Sequence, residues 1–535
     1  MKKSILIGIA FSLSSIAFAQ KPINASDFGE SISVEDLYRH LSVLASDDYQ
    51  GRETGQKGQK AAAIYIAKEF ERLQLKPAGN DNFFQSFEVV KKTLATRKFI
   101  VNQKKFNFGD DFFCAKNIGN VNFQSNEIIF AGYGIIDKDK NRNDFKNFNV
   151  EGKVVLILSG EPKNKKGIYL LNNSKEKSEW SNKNKKIAAI QKLKPKVILI
   201  VDADYAKFAK NYKHQMEAPS MQLTENQAKK PEELSKENML YVCPVITIND
   251  SVAKVLLIPN NKNIDNLRKK YCKRRSIDPF VLKSTIAANI DYLEETKSTE
   301  NVIAYIPGSE YPEEYVYITA HYDHIGVIDN EVYNGADDDG SGTVGVLELA
   351  EAFAIAKDQG QGPRRSIVFM TVTGEEKGLL GSQYYTTNPS FEIKNSICDL
   401  NIDMIGRVDD AHKNDSNYIY IIGSDKISSD LHKINEKMNS AYTHMNLDYT
   451  YNSPSDPNRF YYRSDHYNFA KYNIPIIFYF NGLHDDYHKA TDEISKINFP
   501  MLSNRTKLVF YTAWEIANRA EPLRKDKKND FENNR

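Results

Sequence analysis

Residues 315–324 read YVYITAHYDH. An apolar run of strand type, Tyr315–Ala320, stops abruptly at His321-Tyr322-Asp323-His324. The same punctuation recurs further along. Ser366–Thr373 runs into Gly374-Glu375-Glu376, Ile397–Ile402 runs into Asp403, and Pro475–Phe480 runs into a loop bearing Tyr487-His488. Between the first two lies GADDDGSG at 335–342, which opens a helical pattern over 341–357. Helical spacing returns at 378–386, 428–440, 464–472 and 499–518, and a further strand run falls at 418–422. Strands alternating with helices predict an α/β fold with a mostly parallel central sheet flanked by helices. In such sheets ligands bind in the crevice outside the carboxyl ends of the strands. Four strand ends and one helix start therefore deliver polar residues to one rim.

That rim would hold Asp323, Asp338, Glu375, Glu376 and Asp403. Neighbouring carboxylates repel, and each resists ionisation unless compensated. Lys377 is the only cation directly beside them in sequence, too little to balance the set. Divalent cations would balance it. Imidazoles from His321 and His488 beside carboxylates suit zinc, or another borderline transition metal, better than calcium or magnesium. Two ions sharing one bridging carboxylate would use five ligands and leave room for a bridging water, the arrangement that makes a hydroxide near neutral pH and polarises a carbonyl. Each piece alone has an ordinary explanation: a turn, a helix cap, a surface charge pair or a solvated histidine. Their joint arrival at the strand ends of one α/β region points to a shared metal site. His324, His466 and His484 are left outside the metal shell, as packing or hydrogen-bonding residues. The loop Ser464-Asp465-His466 is a candidate pocket wall.

The rest of the chain is read outward from this region. Residues 33–47 and 57–76 read as helices around a turn-rich loop, Asp47–Gly55. After about residue 95 short strand runs appear at Ile128–Phe130, Val154–Leu158, Val197–Val201 and Val245–Ile248, separated by lysine- and asparagine-rich stretches at 161–187 and 222–238. Those stretches are too poor in apolar residues to build a core and read as solvated loops or surface helices. Residues 96–285 are thus expected to form an inserted, mostly β domain. It would separate an N-terminal part (20–95) of the α/β domain from its main, site-bearing part (286–520), with a polar tail over 521–535.

At the start, Lys2 and Lys3 precede an apolar run, Ile5–Ala17, and Ala17-Phe18-Ala19 reads as a small-residue cleavage site. This predicts a signal peptide over 1–19, export, and a periplasmic or extracellular protein. The run is shorter than the ~20 residues of a spanning helix, so no stable membrane anchor is expected. Lys and Arg number 72 and Asp and Glu 70, a balance that gives no reason to expect nucleic acid as a partner. The four cysteines, Cys114, Cys243, Cys272 and Cys398, lie far apart; export permits disulfides, and the sequence does not choose among three pairings.

Asp47–Gly55, His321-Tyr322-Asp323, Gly335–Gly342, Gly374-Glu375-Glu376, Asn401-Ile402-Asp403 and Tyr487-His488 together resemble the aminopeptidase Y / glutamate carboxypeptidase family of di-zinc metallopeptidases. The likeness covers roughly 33–95 and 295–520. Within the insert, Ala131–Gly134, Gly152–Leu156 and Cys243–Ile246 resemble a protease-associated domain. The resemblance implies a zinc-dependent exopeptidase fold and two zinc ions per chain acting on a peptide substrate. His321 and Asp403 would bind one ion, Glu376 and His488 the other, and Asp338 would bridge them. Glu375 would be the general base toward the bridging water, Asp323 would hold the His321 ring, and Tyr487 would donate to the oxyanion. Aminopeptidase activity is favoured because the carboxylate-rich site could hold an ammonium group and because exported members with this insert are commonly so assigned. Three alternatives stay open: a carboxypeptidase or dipeptidase with the same centre, with Arg407 and Arg463 as candidate substrate contacts; a single-zinc glutaminyl cyclase; and a catalytically dead, receptor-like binding module.

Overall fold

The computed structural model describes residues 25–114, 119–224, 227, 242–271 and 278–528. The expected signal peptide, Cys272 and the end of the polar tail lie outside these residues. The chain divides into two units, Met1–Phe87 with Thr299–Arg535, and Glu88–Ser298.

The larger unit is a mixed α/β structure built on a mostly parallel sheet. Its strands run in the order Asn446–Asp448, Tyr418–Ile422, Ile476–Phe480, Ser396–Ile402, Tyr311–His321, Arg365–Val372, then the tail of Phe280–Ile306. The central strands pair parallel, with Val316 opposite Ile367 on one side and Cys398 on the other. Residues 302–306 pair antiparallel with Arg365–Val372, a strand that the alternating pattern did not mark. Both sheet faces are covered, which explains the unbroken apolar runs: Val316, Ile318 and Ala320 point into one core, Tyr315 and Tyr317 into the other. The first core is sealed by Val34–Leu44, Lys57–Arg72, Gly342–Asp358 and Phe499–Asn518. The second is sealed by Leu380–Thr387 and His466–Ala470. Phe353 of the first core touches Phe369, Phe510 and Trp514, tying helix to sheet to helix.

In the smaller unit, Val121–Phe130, Val154–Leu158, Val197–Val201 and Val245–Ile248 pair parallel in that order. Phe112–Cys114 and residues 280–290 close the two edges antiparallel. Helices Lys183–Gln191, Tyr205–Glu217, Asp250–Leu257 and Ile264–Tyr271 accompany the strands. The unit extends beyond the 96–285 read from composition because its boundaries fall inside two long strands, Phe84–Val101 and Phe280–Ile306, where composition does not change. Within the lysine-rich stretch, Trp180 and Lys186 are buried; Trp180 donates its indole N–H to Asp137 at 2.9 Å. Cys243 and Cys398 are buried free thiols. Among the described residues no helix is long and apolar enough to cross a membrane.

One buried acid in the large core has a measurable consequence. Glu348, on the helix Gly342–Asp358, accepts the Ser33 backbone N–H through one oxygen, while the other lacks a hydrogen bond. Burial pushes its carboxyl from an ordinary 4.5 up to about 8. Between those values the unfolded chain has released this proton and the native chain retains it, so this residue makes stability fall as pH rises through that window. In urea unfolding, Glu348→Gln should lose less stability than the unmodified protein between pH 5 and pH 8. Equal losses would mean that Glu348 does not titrate there.

Candidate metal centre

His321 closes the strand Tyr311–His321, Glu375 and Glu376 follow Arg365–Val372, Asp403 follows Ser396–Ile402, and His488 lies in the loop after Ile476–Phe480. The parallel register brings these ends to one rim. Asp338 stands between two imidazoles: its Oδ1 is 3.4 Å from Nε2 of His321 and its Oδ2 is 3.1 Å from Nε2 of His488. Nε2 of His321 also faces Asp403 Oδ1 at 3.5 Å and Glu375 Oε2 at 3.8 Å. Nε2 of His488 faces Glu376 Oε2 at 3.2 Å. His321 and Asp338 are almost fully buried, whereas the His488 side chain is 39% exposed, so the centre opens to solvent on that side. Asp338, Glu375, Asp403 and Tyr487 line a cavity completed by Met404, Phe460, Arg463, Phe478, Phe480 and Leu483.

Nε2 of His321 and Oδ2 of Asp338 are buried without an aligned hydrogen bond to any described residue. Such atoms call for a partner. Cations between them would supply it, and the imidazole–carboxylate donor set fits zinc. The electrostatics agree. Burial, together with neighbouring Asp403 and Glu376, drives the Glu375 carboxyl well above the usual range even against the pull of His321. Burial opposes ionisation of Asp338, but His321, His324 and His488 outweigh it and hold that carboxylate well below its ordinary value.

The three consecutive aspartates have three different fates. Asp338 faces the histidines. Asp339 accepts backbone N–H groups from His321, Gly342 and Met404, at 3.2, 2.9 and 3.0 Å. Asp337 accepts the N–H of Gly406 and faces His484 Nε2 at 3.1 Å. Asp492 accepts the N–H groups of Asp337 and Asp338. The flanking acids are thus backbone clips that hold Asp338 in place.

Arg52 holds the same segments from the other side. Its guanidinium, 1% exposed, donates to the carbonyls of Leu44, Tyr322, Asn334 and Gly335 at 2.7, 2.7, 2.6 and 2.9 Å. It is a second cation near the acids, invisible to a search of adjacent sequence positions because it lies some 270 to 350 residues upstream of them. Thr54 donates to Oδ2 of Asp323 at 2.8 Å, and the Glu375 N–H reaches Oδ1 at 3.2 Å. The expected contact from the Asp323 carboxylate to the His321 ring is therefore altered. Nδ1 of His321 lies 3.0 Å from the Asp323 carbonyl oxygen and 3.8 Å from its carboxylate, because Thr54 and the Glu375 N–H already occupy that carboxylate.

The other singled-out residues separate clearly. His466 is buried, contacts the Tyr461 carbonyl at 2.9 Å and stacks on Phe478. Ser464, Asp465 and His466 are all buried and do not line the cavity. Arg407 pairs with Asp486 at 2.9 Å, and Lys377 with Glu53 at 3.3 Å. Tyr487 stacks on His488 with ring centroids 3.8 Å apart and lines the cavity. His324, read from sequence as a packing or hydrogen-bonding residue outside the metal shell, sits beside the centre: its Nδ1 is 2.8 Å from Glu376 Oε1.

Residues 301–513 match the model of peptidase family M28. Over that segment the chain is similar to M28 peptidases. Its similarity to a Trichophyton verrucosum protein named "Probable leucine aminopeptidase" is 30% identity over 239 residues, 43% of this chain and 61% of that relative. A Pyrenophora teres f. teres protein named "Probable zinc metalloprotease" is 39% identical over 108 residues, 20% of this chain and 22% of that one. The chain thus spans less than two thirds of the length of these relatives. Among solved structures, the aminopeptidase from Aneurinibacillus sp. strain AM-1 aligns over 95% of this chain and 100% of its own, with a TM-score of 0.57 and 17% identity, a likeness of fold. The M28 match begins at residue 301, so Arg52 and Thr54 reach the domain's metal-facing loops from outside the matched segment.

Removing a hydrogen-bond partner from a buried polar group costs about 1–3 kcal/mol. Arg52→Met deprives four carbonyls of a donor and should lower stability to urea by several kcal/mol, with partial recovery in Arg52→Lys, which keeps a charge but not the planar fork. A loss below about 1 kcal/mol in Arg52→Met would show that the clamp does little.

Proposed function

We propose that this chain is a zinc metallopeptidase that holds two zinc ions and removes residues from the amino end of peptides. The observation that carries the reading is Asp338, with one oxygen toward His321 and the other toward His488, beside a cavity that Glu375 also lines. His321 and Asp403 would hold one ion, Glu376 and His488 the other, and Asp338 both. Bound there, the ions would polarise the scissile carbonyl and make water acidic enough to lose a proton near neutral pH. Glu375 takes the proton from the attacking water and delivers it to the leaving amine. The Asp323 carboxylate, which receives the Glu375 N–H, keeps that residue aimed. Tyr487, at the cavity wall, donates to the developing oxyanion.

The choice of the amino end rests on relatives named leucine aminopeptidase. One observation favours a second reading. Arg463 lines the same cavity and could hold a substrate carboxylate, as a carboxypeptidase or dipeptidase would require. We further propose that the protein acts outside the cytoplasm after loss of residues 1–19, and that the unit Glu88–Ser298 is a protease-associated-like module.

Glu375→Gln should lower turnover by roughly 10²–10⁴-fold, the usual contribution of a general base, while zinc content measured by atomic absorption stays unchanged. Near-normal turnover would remove Glu375 from the role. Digestion of one peptide with a free and an N-acetylated amino end separates the two substrate readings. An aminopeptidase cleaves the free form alone; equal cleavage of both would point to the Arg463 reading.

A further inference from the structure

We propose that His324 is a positioning residue of this centre: its imidazole sets the Glu376 carboxylate so that one oxygen is left for the ion. The inference rests on the reading that Glu376 holds zinc. The two oxygens of Glu376 are divided between two histidines. Oε2 faces His488 Nε2 at 3.2 Å, on the side shared with Asp338, and Oε1 faces His324 Nδ1 at 2.8 Å. A ligating carboxylate is commonly held at its second oxygen in this way, and such partners orient the ligand and raise metal affinity.

Three further observations restrict what the ring can be doing. It is 0% exposed, and the carboxylates that face its Nδ1 are Glu376 Oε1 at 2.8 Å and Asp338 Oδ2 at 3.8 Å, so Glu376 is the nearer partner of the imidazole. The ring is also wedged in place. Gly335, at φ +57°, would carry a Cβ only 2.5 Å from the His324 ring, so the glycine that starts the aspartate loop is also the one that admits the ring. Finally, Asp323 accepts the N–H of Glu375, while His324 faces the carboxylate of Glu376. Two successive residues of one strand end thus act on two successive glutamates. That pairing separates a glutamate left facing the cavity from a glutamate committed to the ion.

The test compares His324→Phe with His324→Gln. Phenylalanine keeps the volume and loses both nitrogens; glutamine keeps an N–H that can reach Oε1. Zinc binding is read by competition with a chromophoric chelator, and the environment of the ions by visible absorption of the cobalt-substituted protein. His324→Phe should weaken one of two zinc equivalents by about 10–100-fold, the usual effect of losing such a partner, and alter the cobalt spectrum. His324→Gln should recover most of that loss. Unchanged affinity for both equivalents in folded His324→Phe would overturn the proposal, leaving the ring a packing element. A folded His324→Gln that loses zinc as severely as His324→Phe would also overturn it, because the nitrogen would then be binding the ion itself. Should His324→Phe fail to fold, His324→Gln against His324→Leu gives the same comparison. If the unmodified protein binds no zinc, the proposed function fails; if it binds two and His324→Phe is indifferent, only this inference fails.

Discussion

Carboxylate repulsion at one buried rim is the constraint on which this structure turns. Asp323, Asp337, Asp338, Asp339, Glu375, Glu376 and Asp403 converge where parallel strands end. Acids so placed cannot all carry charge in a buried site unless something offsets them. The protein meets the constraint in three ways. Backbone N–H groups bind Asp337 and Asp339. The guanidinium of Arg52 adds a positive charge, which burial disfavours and Asp323, Asp338 and Asp339 favour. The remainder, led by Asp338, is left facing imidazoles with lone pairs unsatisfied. Cation binding follows as the way to relieve what is left.

The same constraint organises the scaffold. The loop carrying Asp338 has to be held against the repulsion of its own neighbours, so it is fixed from several directions: by Arg52 on its carbonyls, by Asp492 on its N–H groups, and by Ser341, whose hydroxyl receives the Ile405 N–H. These fixings come from distant parts of the chain and cost conformational freedom that the large apolar core offsets. Aromatic layers such as Phe353 against Phe369, Phe510 and Trp514 keep the sheet and its flanking helices in a single arrangement, so the strand ends cannot drift apart.

Much of the fold was legible because both faces of the central sheet are buried. Continuous apolar runs such as Ile476–Phe480, bounded by polar loops, have few other readings, and helices such as Phe499–Asn518 announce themselves by apolar spacing. The strand at 302–306 was less visible, since it is the tail of a much longer strand whose earlier residues alternate between exposed and buried. The division of the chain was blurred for the same reason, with no change of composition where Phe84–Val101 and Phe280–Ile306 cross it.

The sequence by itself determined which side chains could reach the rim, because a strand end fixes direction: His321, Glu375, Glu376 and Asp403 are delivered there by local patterning, and His488 by the loop that follows Ile476–Phe480. Only the tertiary structure decided how they are used. That Asp338, and not Asp337 or Asp339, faces both histidines depends on which backbone N–H groups come near from residues 342, 404 and 406. That the Asp323 carbonyl, not its carboxylate, meets the His321 ring depends on Thr54, some 270 residues away. That His324 belongs to the centre depends on a glycine at 335 leaving space for it. Local sequence fixes direction along one element; partners across space are set by packing between elements, and no single stretch of chain contains that information.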